Sequence, residues 1–208
     1  MPISTAILTA LACYFLGNHN GAVCVSSMLH DDVRNHGSGN AGLTNFIRNY
    51  GANRSLLVIA IDVGKAVLAC LLSGAVFAPY GLRLEGMTLG GICVMLGHDF
   101  PALLGFRGGK GILSGVAVAM TMDWRVGVAM VVVFACAYFL THYVSLGSIL
   151  GAVVFAIGFA VLYRDSPLMI AASIFLGGLT IFMHRGNLRR LVKGEERKTD
   201  LFGKGEHP

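Results

Sequence analysis

The chain has 208 residues, of which 55% are hydrophobic and 13% charged, with a net charge of +5 and a mean hydropathy of +0.69. Soluble chains carry about 25% charged residues, and a water-soluble fold with so little polar surface would expose apolar patches and aggregate. The composition excludes an ordinary soluble domain. Because the basic residues flank apolar segments, they also read as signals of membrane orientation and not as a nucleic-acid surface.

Apolar segments are read near 3–29, 56–78, 87–104, 111–122, 126–143, 146–163 and 167–184. They predict an all-α integral membrane fold of about seven transmembrane helices, forming one domain over 1–208 with a basic tail from about 185 to 208. The first segment lacks a positively charged start and is read as a retained span, not a cleaved signal. Asn18, His19 and Asn20 interrupt it, either lining a cavity or breaking the helix. The second segment carries Asp62 and Lys65, three residues apart and able to pair within the helix. The fourth is short: at about 1.5 Å per residue it covers about 18 Å of a hydrocarbon core about 30 Å thick. Either the stretch Gly108–Gly111 already dips into the membrane or the bilayer thins there. Cys13, Cys24, Cys70, Cys93 and Cys136 all fall in apolar stretches without a CxxC pair, and are expected to be small packing residues.

Sidedness follows from charge. The loops after segments one, three, five and seven hold Arg34, Arg48, Arg54, Arg107, Lys110, Arg185, Arg189, Arg190, Lys193, Arg197, Lys198 and Lys204, whereas the opposite side holds Arg83, Arg125 and Arg164. This bias predicts an outside N-terminus and a cytoplasmic C-terminus. Parity then requires the short fourth segment to cross.

Three polar stretches fall on the cytoplasmic side: DVRNHGSGNAGLTNFIR (32–48), GHDFPALLGFRGGKG (97–111) and HRGNLRRLVKGEE (184–196). The first contains a G-x-G-x-x-G string, but it follows an apolar helix where a dinucleotide site needs a strand, so that reading is rejected. Its glycines still allow backbone N–H groups to approach an anion. Ser38 and Asn45 add hydrogen-bonding groups, and Arg48 adds a fork suited to phosphate. The plainer alternative is a flexible polar loop with one orienting arginine. The second stretch lacks the early glycine and the Ser/Thr of a P-loop, so ATP hydrolysis is not expected. Lys110 stands where a helix begins and can hold phosphate with that N-terminus, or simply snorkel. His98 and Asp99 are read as structural. In the third stretch, His184 and Asn187 share a face if the last helix continues, although a lone interfacial histidine is the plainer reading. Arg189, Arg190, Lys193, Arg197 and Lys198 are read as topology signal and anionic-lipid contact. Ser145 and Ser148 are expected to cap the entry to segment six, where either can line the site.

With those residues assembled, the chain resembles the bacterial acyl-phosphate:glycerol-3-phosphate 1-O-acyltransferase family (PlsY). GSGNAGLTNFIR matches the family pattern G-S-G-N-x-G-A-T-N-x-x-R. GHDFPALLGFRGGKG matches G-H-x-F-P…F-x-G-G-K-G, and HRGNLRRLVKGEE matches H-R-x-N-I-x-R-L-x-x-G-x-E, in the same order. The resemblance implies seven spans, a multi-pass protein of the bacterial inner membrane and a site at the cytoplasmic face. It implies acyl transfer from acyl phosphate to the 1-hydroxyl of glycerol 3-phosphate, giving lysophosphatidic acid and phosphate in the first step of phospholipid synthesis. It further implies Ser38, Arg48, Lys110, His184 and Asn187 as catalytic residues, with Gly37, Gly39, Asn40, Asn45, Gly108, Gly109 and Ser148 around the substrates. No cofactor or metal is expected; membrane lipids and the enzyme that makes acyl phosphate are the candidate partners, and nucleic acid is not. Leu43 replaces the usual alanine, Ala66 a common glycine, and the Asn18–Asn20 interruption is outside the pattern. The competing class is a multi-pass transporter or binding protein for phosphate esters or lipids, which paired broken helices in inverted repeats would favour.

Overall fold

The computed structural model describes residues 1–201; residues 202–208, with Lys204 and the end of the basic tail, lie outside the described residues. Within the described residues the chain is helical, with short 3₁₀ turns and no strand. The α-helices are α1 (Ile3–Asn18), α2 (Gly21–Met28), α3 (Leu43–Tyr50), α4 (Ala52–Phe77), α5 (Arg83–Asp99), α6 (Ile112–Met122), α7 (Trp124–Thr141), α8 (Val144–Leu162), α9 (Pro167–Met183) and α10 (Arg185–Lys193). Helices α7 and α8, and α4 and α5 each taken with the turn that follows it (Ala52–Tyr80 and Arg83–Leu104), are long and apolar enough to cross a bilayer, as is the α9–α10 pair taken together across its 57° bend. α1 and α6 are shorter apolar helices. Leu8, Leu56, Phe139, Leu140 and Val161 face outward, as side chains in contact with lipid would.

The first apolar segment is not one continuous helix over 3–29; it breaks at His19, and α4 occupies the break. The Lys65 ammonium donates to the carbonyls of Gly17 (3.2 Å) and His19 (2.9 Å) at the end of α1. The Asp62 carboxylate accepts from Gly21 N–H (3.0 Å) at the start of α2 and lies 2.8 Å from Lys65. Opposite charges therefore complement two opposed helix ends, each satisfying backbone groups that a break would orphan. Asn20 caps α2 by accepting from Val23 N–H (3.1 Å). The expected pairing of Asp62 and Lys65 is present, and the Asn18–Asn20 interruption is a helix break.

α5 packs on α4 and α1. The approach to α1 is backbone to backbone: a Cβ on Gly17 would overlap Val94 O, and one on Gly97 would overlap Tyr14 O. The span expected at 87–104 begins earlier, at Arg83, and ends at Leu104 as expected; α5 itself stops at Asp99, two residues before Pro101. Proline disfavours helical backbone in the residue before it, which accounts for the stop. The amphipathic α3 was not foreseen. It is too short to register as a span, yet Leu43, Phe46 and Tyr50 recur at helical spacing and Phe46 is fully buried. Cys13 and Cys70 are buried as expected and Cys24 and Cys93 partly so, whereas Cys136 is exposed on α7. An apolar stretch in a membrane helix does not separate a face turned to lipid from one turned to protein.

Candidate active site

The loop between α2 and α3 is folded around Asn45. Its Nδ2 donates to the carbonyls of Val33 (3.0 Å), His36 (3.0 Å) and Asn40 (3.1 Å), while its Oδ1 accepts from Ser38 N–H (3.0 Å). This wrap requires left-handed backbone at Gly37 (φ +57°) and Gly39 (φ +69°), which glycine adopts without steric cost. Asn45 thus spends its amide on the loop's own backbone. The result sets the Ser38 side chain at an exposed rim and Arg48 one turn further along α3. The Asn20 side chain donates to Ala41 O (2.9 Å) and ties this loop to the break in the first segment.

The second loop is held by α5. Gly109 N–H donates to His98 O (3.1 Å), and His98 Nδ1 accepts from Lys65 (2.8 Å). A side chain at Gly109 would overlap the His98 imidazole, and one at Gly108 the His98 carbonyl. The loop then releases Lys110 immediately before α6. His98 is buried and links Lys65 to the Gly109 backbone, and it also lines the cavity of the site. Asp99 is buried as well, with no hydrogen-bond partner on its carboxylate among the described residues.

At the third stretch the last helix does not run on straight; it bends at His184. The His184 ring nitrogen Nδ1 lies 2.8 Å from the Thr180 carbonyl, which can only accept, so Nδ1 carries the proton and Nε2 is the free nitrogen. Despite the bend, His184 and Asn187 line the same cavity. Lys110 Nζ donates to Asn187 Oδ1, and Asn187 Nδ2 donates to Glu196 (2.6 Å). Glu196 also accepts from Ser145 (2.8 Å) and Arg190 (2.7 Å). Burial works against its charge, but the bonds from Asn187, Ser145 and Arg190 hold the Glu196 carboxyl below its ordinary range. Neither serine caps α8, which starts at Val144; Ser145 reaches Glu196, and Ser148 donates back to Val144 O (2.9 Å).

All these elements enclose one cavity of about 680 Å³. Ser38, Arg48, Lys110, His184 and Asn187 line it together with Gly37, Asn40, Asn45 and Ser148. Gly39, Gly108 and Gly109 are not among the lining residues; Gly108 and Gly109 pack against His98 and shape the loop that carries Lys110. Arg190, Glu196 and Arg197 also line the cavity, beyond the topology and lipid-contact roles that the sequence suggests for the two arginines. Away from these polar groups the wall becomes apolar, with Ile59 on α4, Leu113 and Val116 on α6, and Met130, Val131 and Phe134 on α7. Burial, and next the positive charge of Arg190, push the Lys110 ammonium down to about 8. The chamber is thus cationic where the loops meet and oily beyond, which suits a molecule with a phosphate head and a long apolar tail.

The comparisons agree with that geometry. The profile of the family described as glycerol-3-phosphate acyltransferase matches residues 7–194. The chain is 40% identical over 194 residues to a glycerol-3-phosphate acyltransferase of Thermoanaerobacter sp. (strain X514), covering 93% of this chain and 95% of the relative. It is 38% identical over 195 residues to glycerol-3-phosphate acyltransferase 1 of Deinococcus radiodurans, covering 93% and 96%. The crystal structure of PlsY, an integral membrane glycerol 3-phosphate acyltransferase, in its glycerol 3-phosphate form superposes with a TM-score of 0.84 at 28% identity, covering 95% of this chain and 99% of that one. Its lysophosphatidic acid form gives 0.81 at 27% identity, covering 94% and 96%. On this sequence match and this shared architecture, the chain belongs to the glycerol-3-phosphate acyltransferase family.

Proposed function

We propose that this chain transfers a fatty acyl group from acyl phosphate to the 1-hydroxyl of glycerol 3-phosphate, releasing lysophosphatidic acid and inorganic phosphate. The observation that carries the reading is the meeting of all three polar stretches on one cavity with a cationic mouth and an apolar interior. Acyl phosphate is already activated, so the reaction needs chiefly alignment of two anionic substrates and stabilisation of developing charge. Arg48 and Lys110 take the glycerol 3-phosphate dianion, and His184, whose free Nε2 can only accept, takes a hydrogen bond from a hydroxyl of its glycerol. Ser38, Asn187 and the loop N–H groups hold the acyl phosphate and polarise its carbonyl, with the acyl chain along the apolar wall. The 1-hydroxyl oxygen attacks the carbonyl carbon and the bond to the phosphate oxygen breaks. The hydroxyl proton passes to the departing phosphate, because Glu196, the carboxylate that lines the mouth among the described residues, is spent on Ser145, Asn187 and Arg190.

In this reading the chain is a single domain of the bacterial inner membrane with seven crossings, an outside N-terminus and a cytoplasmic site. The enzyme that supplies acyl phosphate is its natural neighbour, since the donor is an amphiphile that partitions into the same membrane. The test is direct. Purified protein in detergent, given glycerol 3-phosphate and palmitoyl phosphate, should release phosphate and form lysophosphatidic acid. Palmitoyl-CoA should not replace the donor, and K110A should lower the rate by about 100-fold, as expected when a charged contact to a reacting group is lost. A folded protein that makes no product would hand the cavity to the transporter reading.

A further inference from the structure

The family profile ends at residue 194, and the three motifs end at Glu196, yet the chain continues across the mouth of the cavity. Thr199 anchors this crossing. Its N–H donates to His142 O (3.1 Å), and its carbonyl accepts from the Tyr138 hydroxyl (3.1 Å), which in turn accepts from Leu201 N–H (2.9 Å). Thr199 is buried although it sits in a segment without regular structure. From that anchor its hydroxyl accepts from the Arg48 guanidinium, and Arg197, two residues earlier, lines the cavity. The neighbouring cation does otherwise: Lys198 lies over the Tyr143 ring, 5.9 Å from its centroid.

Among the described residues the charges lining the mouth are unbalanced. Arg190 is paired with Glu196 at 2.7 Å, and Asp62, deeper in the wall, is paired with Lys65. Arg48, Lys110 and Arg197 have no carboxylate within ion-pair distance among the described residues. Arg48 and Arg197 are close enough to repel: burial first, and the Arg197 charge second, depress the Arg48 guanidinium. Like charges held together around a cavity are stabilised by an anion between them.

We propose that Arg197 is a phosphate-binding residue that closes with Arg48 on the phosphate of glycerol 3-phosphate, and that Thr199 is the residue that positions Arg48 for it. The assignment rests on the acyltransferase reading for the identity of the anion, and adds to it a cation from outside the three motifs.

The experiment uses the full-length protein and two readouts: steady-state kinetics with both substrates, and calorimetric titration of glycerol 3-phosphate without a donor. R197Q should raise both KM and Kd for glycerol 3-phosphate by about tenfold, the usual loss for one charge-assisted contact, with kcat and the KM for palmitoyl phosphate within about twofold. R197K should recover part of the affinity, since it restores charge without the fork. T199V should weaken glycerol 3-phosphate binding in the same direction, and T199S, which keeps the hydroxyl, should restore it. An R197Q protein with both constants within about twofold of wild type would overturn the proposal. So would a loss shared equally by both substrates, accompanied by a lower melting temperature and not rescued by R197K. If the wild-type protein binds glycerol 3-phosphate but makes no lysophosphatidic acid, the catalytic reading fails, and Arg197 is judged on the titration alone.

Discussion

At the scale of single residues, the decisive group is Lys110, which stands between two loops and is pushed down to about 8 by burial and by Arg190. Such an ammonium is charged below that pH and neutral above it, so it attracts a phosphate dianion only on the acidic side. The ratio kcat/KM for glycerol 3-phosphate reports ionisations of the free enzyme. It should therefore fall as pH rises through about 8. K110R keeps its charge throughout this range, so the variant should lose the alkaline limb while working more slowly, its planar head being a poor substitute for an ammonium bonded to Asn187 Oδ1. An unchanged limb in K110R would assign the titration to another group. His184 contributes differently. Its Nδ1–H is committed to Thr180, so its free nitrogen is fixed in direction before any substrate enters.

At the scale of elements, the break between α1 and α2 does more than bend a span. Lys65 closes the end of α1, Asp62 opens α2, and Lys65 also bonds His98, whose ring backs the glycine that precedes Lys110. Removing one partner of a buried pair leaves the other charge uncompensated, at a cost of about 3–5 kcal/mol. D62N and K65M should each lower the melting temperature in detergent markedly. The double variant should recover only part of the loss, because the carbonyls of Gly17 and His19 lose their donor, while the amide introduced by D62N keeps an acceptor for Gly21 N–H. Full recovery would mean that the backbone groups contribute little and only the charges matter. The sequence made the Asp62–Lys65 pair legible through its spacing, and the three motifs legible through their glycines and cations. It did not disclose what the pair was for, since the break it fills lies about 45 residues earlier in the chain, and helical spacing relates only residues within a few turns. Glu196, Arg197 and Thr199 were hidden for the same reason: in sequence they sit in a polar tail, and only the return of that tail over α7 and α8 brings them to the site.

At the scale of the whole molecule, the question is how many times the chain crosses. α6 spans Ile112–Met122 and at about 1.5 Å per residue reaches about 17 Å, well short of a core about 30 Å thick. If it failed to cross, everything after it would change sides, and the third polar stretch would be separated by the bilayer from the first two. Yet Lys110 bonds Asn187, Arg48 bonds Thr199, and His184 shares a cavity with Ser38. That meeting favours a crossing in which α6 is met by loop backbone that starts below the surface, its polar groups facing protein and the cavity instead of lipid. The charge bias gives the same sidedness independently. Reporter fusions separate the alternatives in living cells. Alkaline phosphatase fused after Gly81 should be active and, fused after Gly108, inactive, while a fluorescent protein on the C-terminus should fold and fluoresce in the cytoplasm. Activity of a phosphatase fused after Asp123, which caps the start of α7, then decides the issue: activity there means that α6 crosses despite its length, and inactivity means that it turns back and that the proposed orientation of α7 to α10 must be reversed.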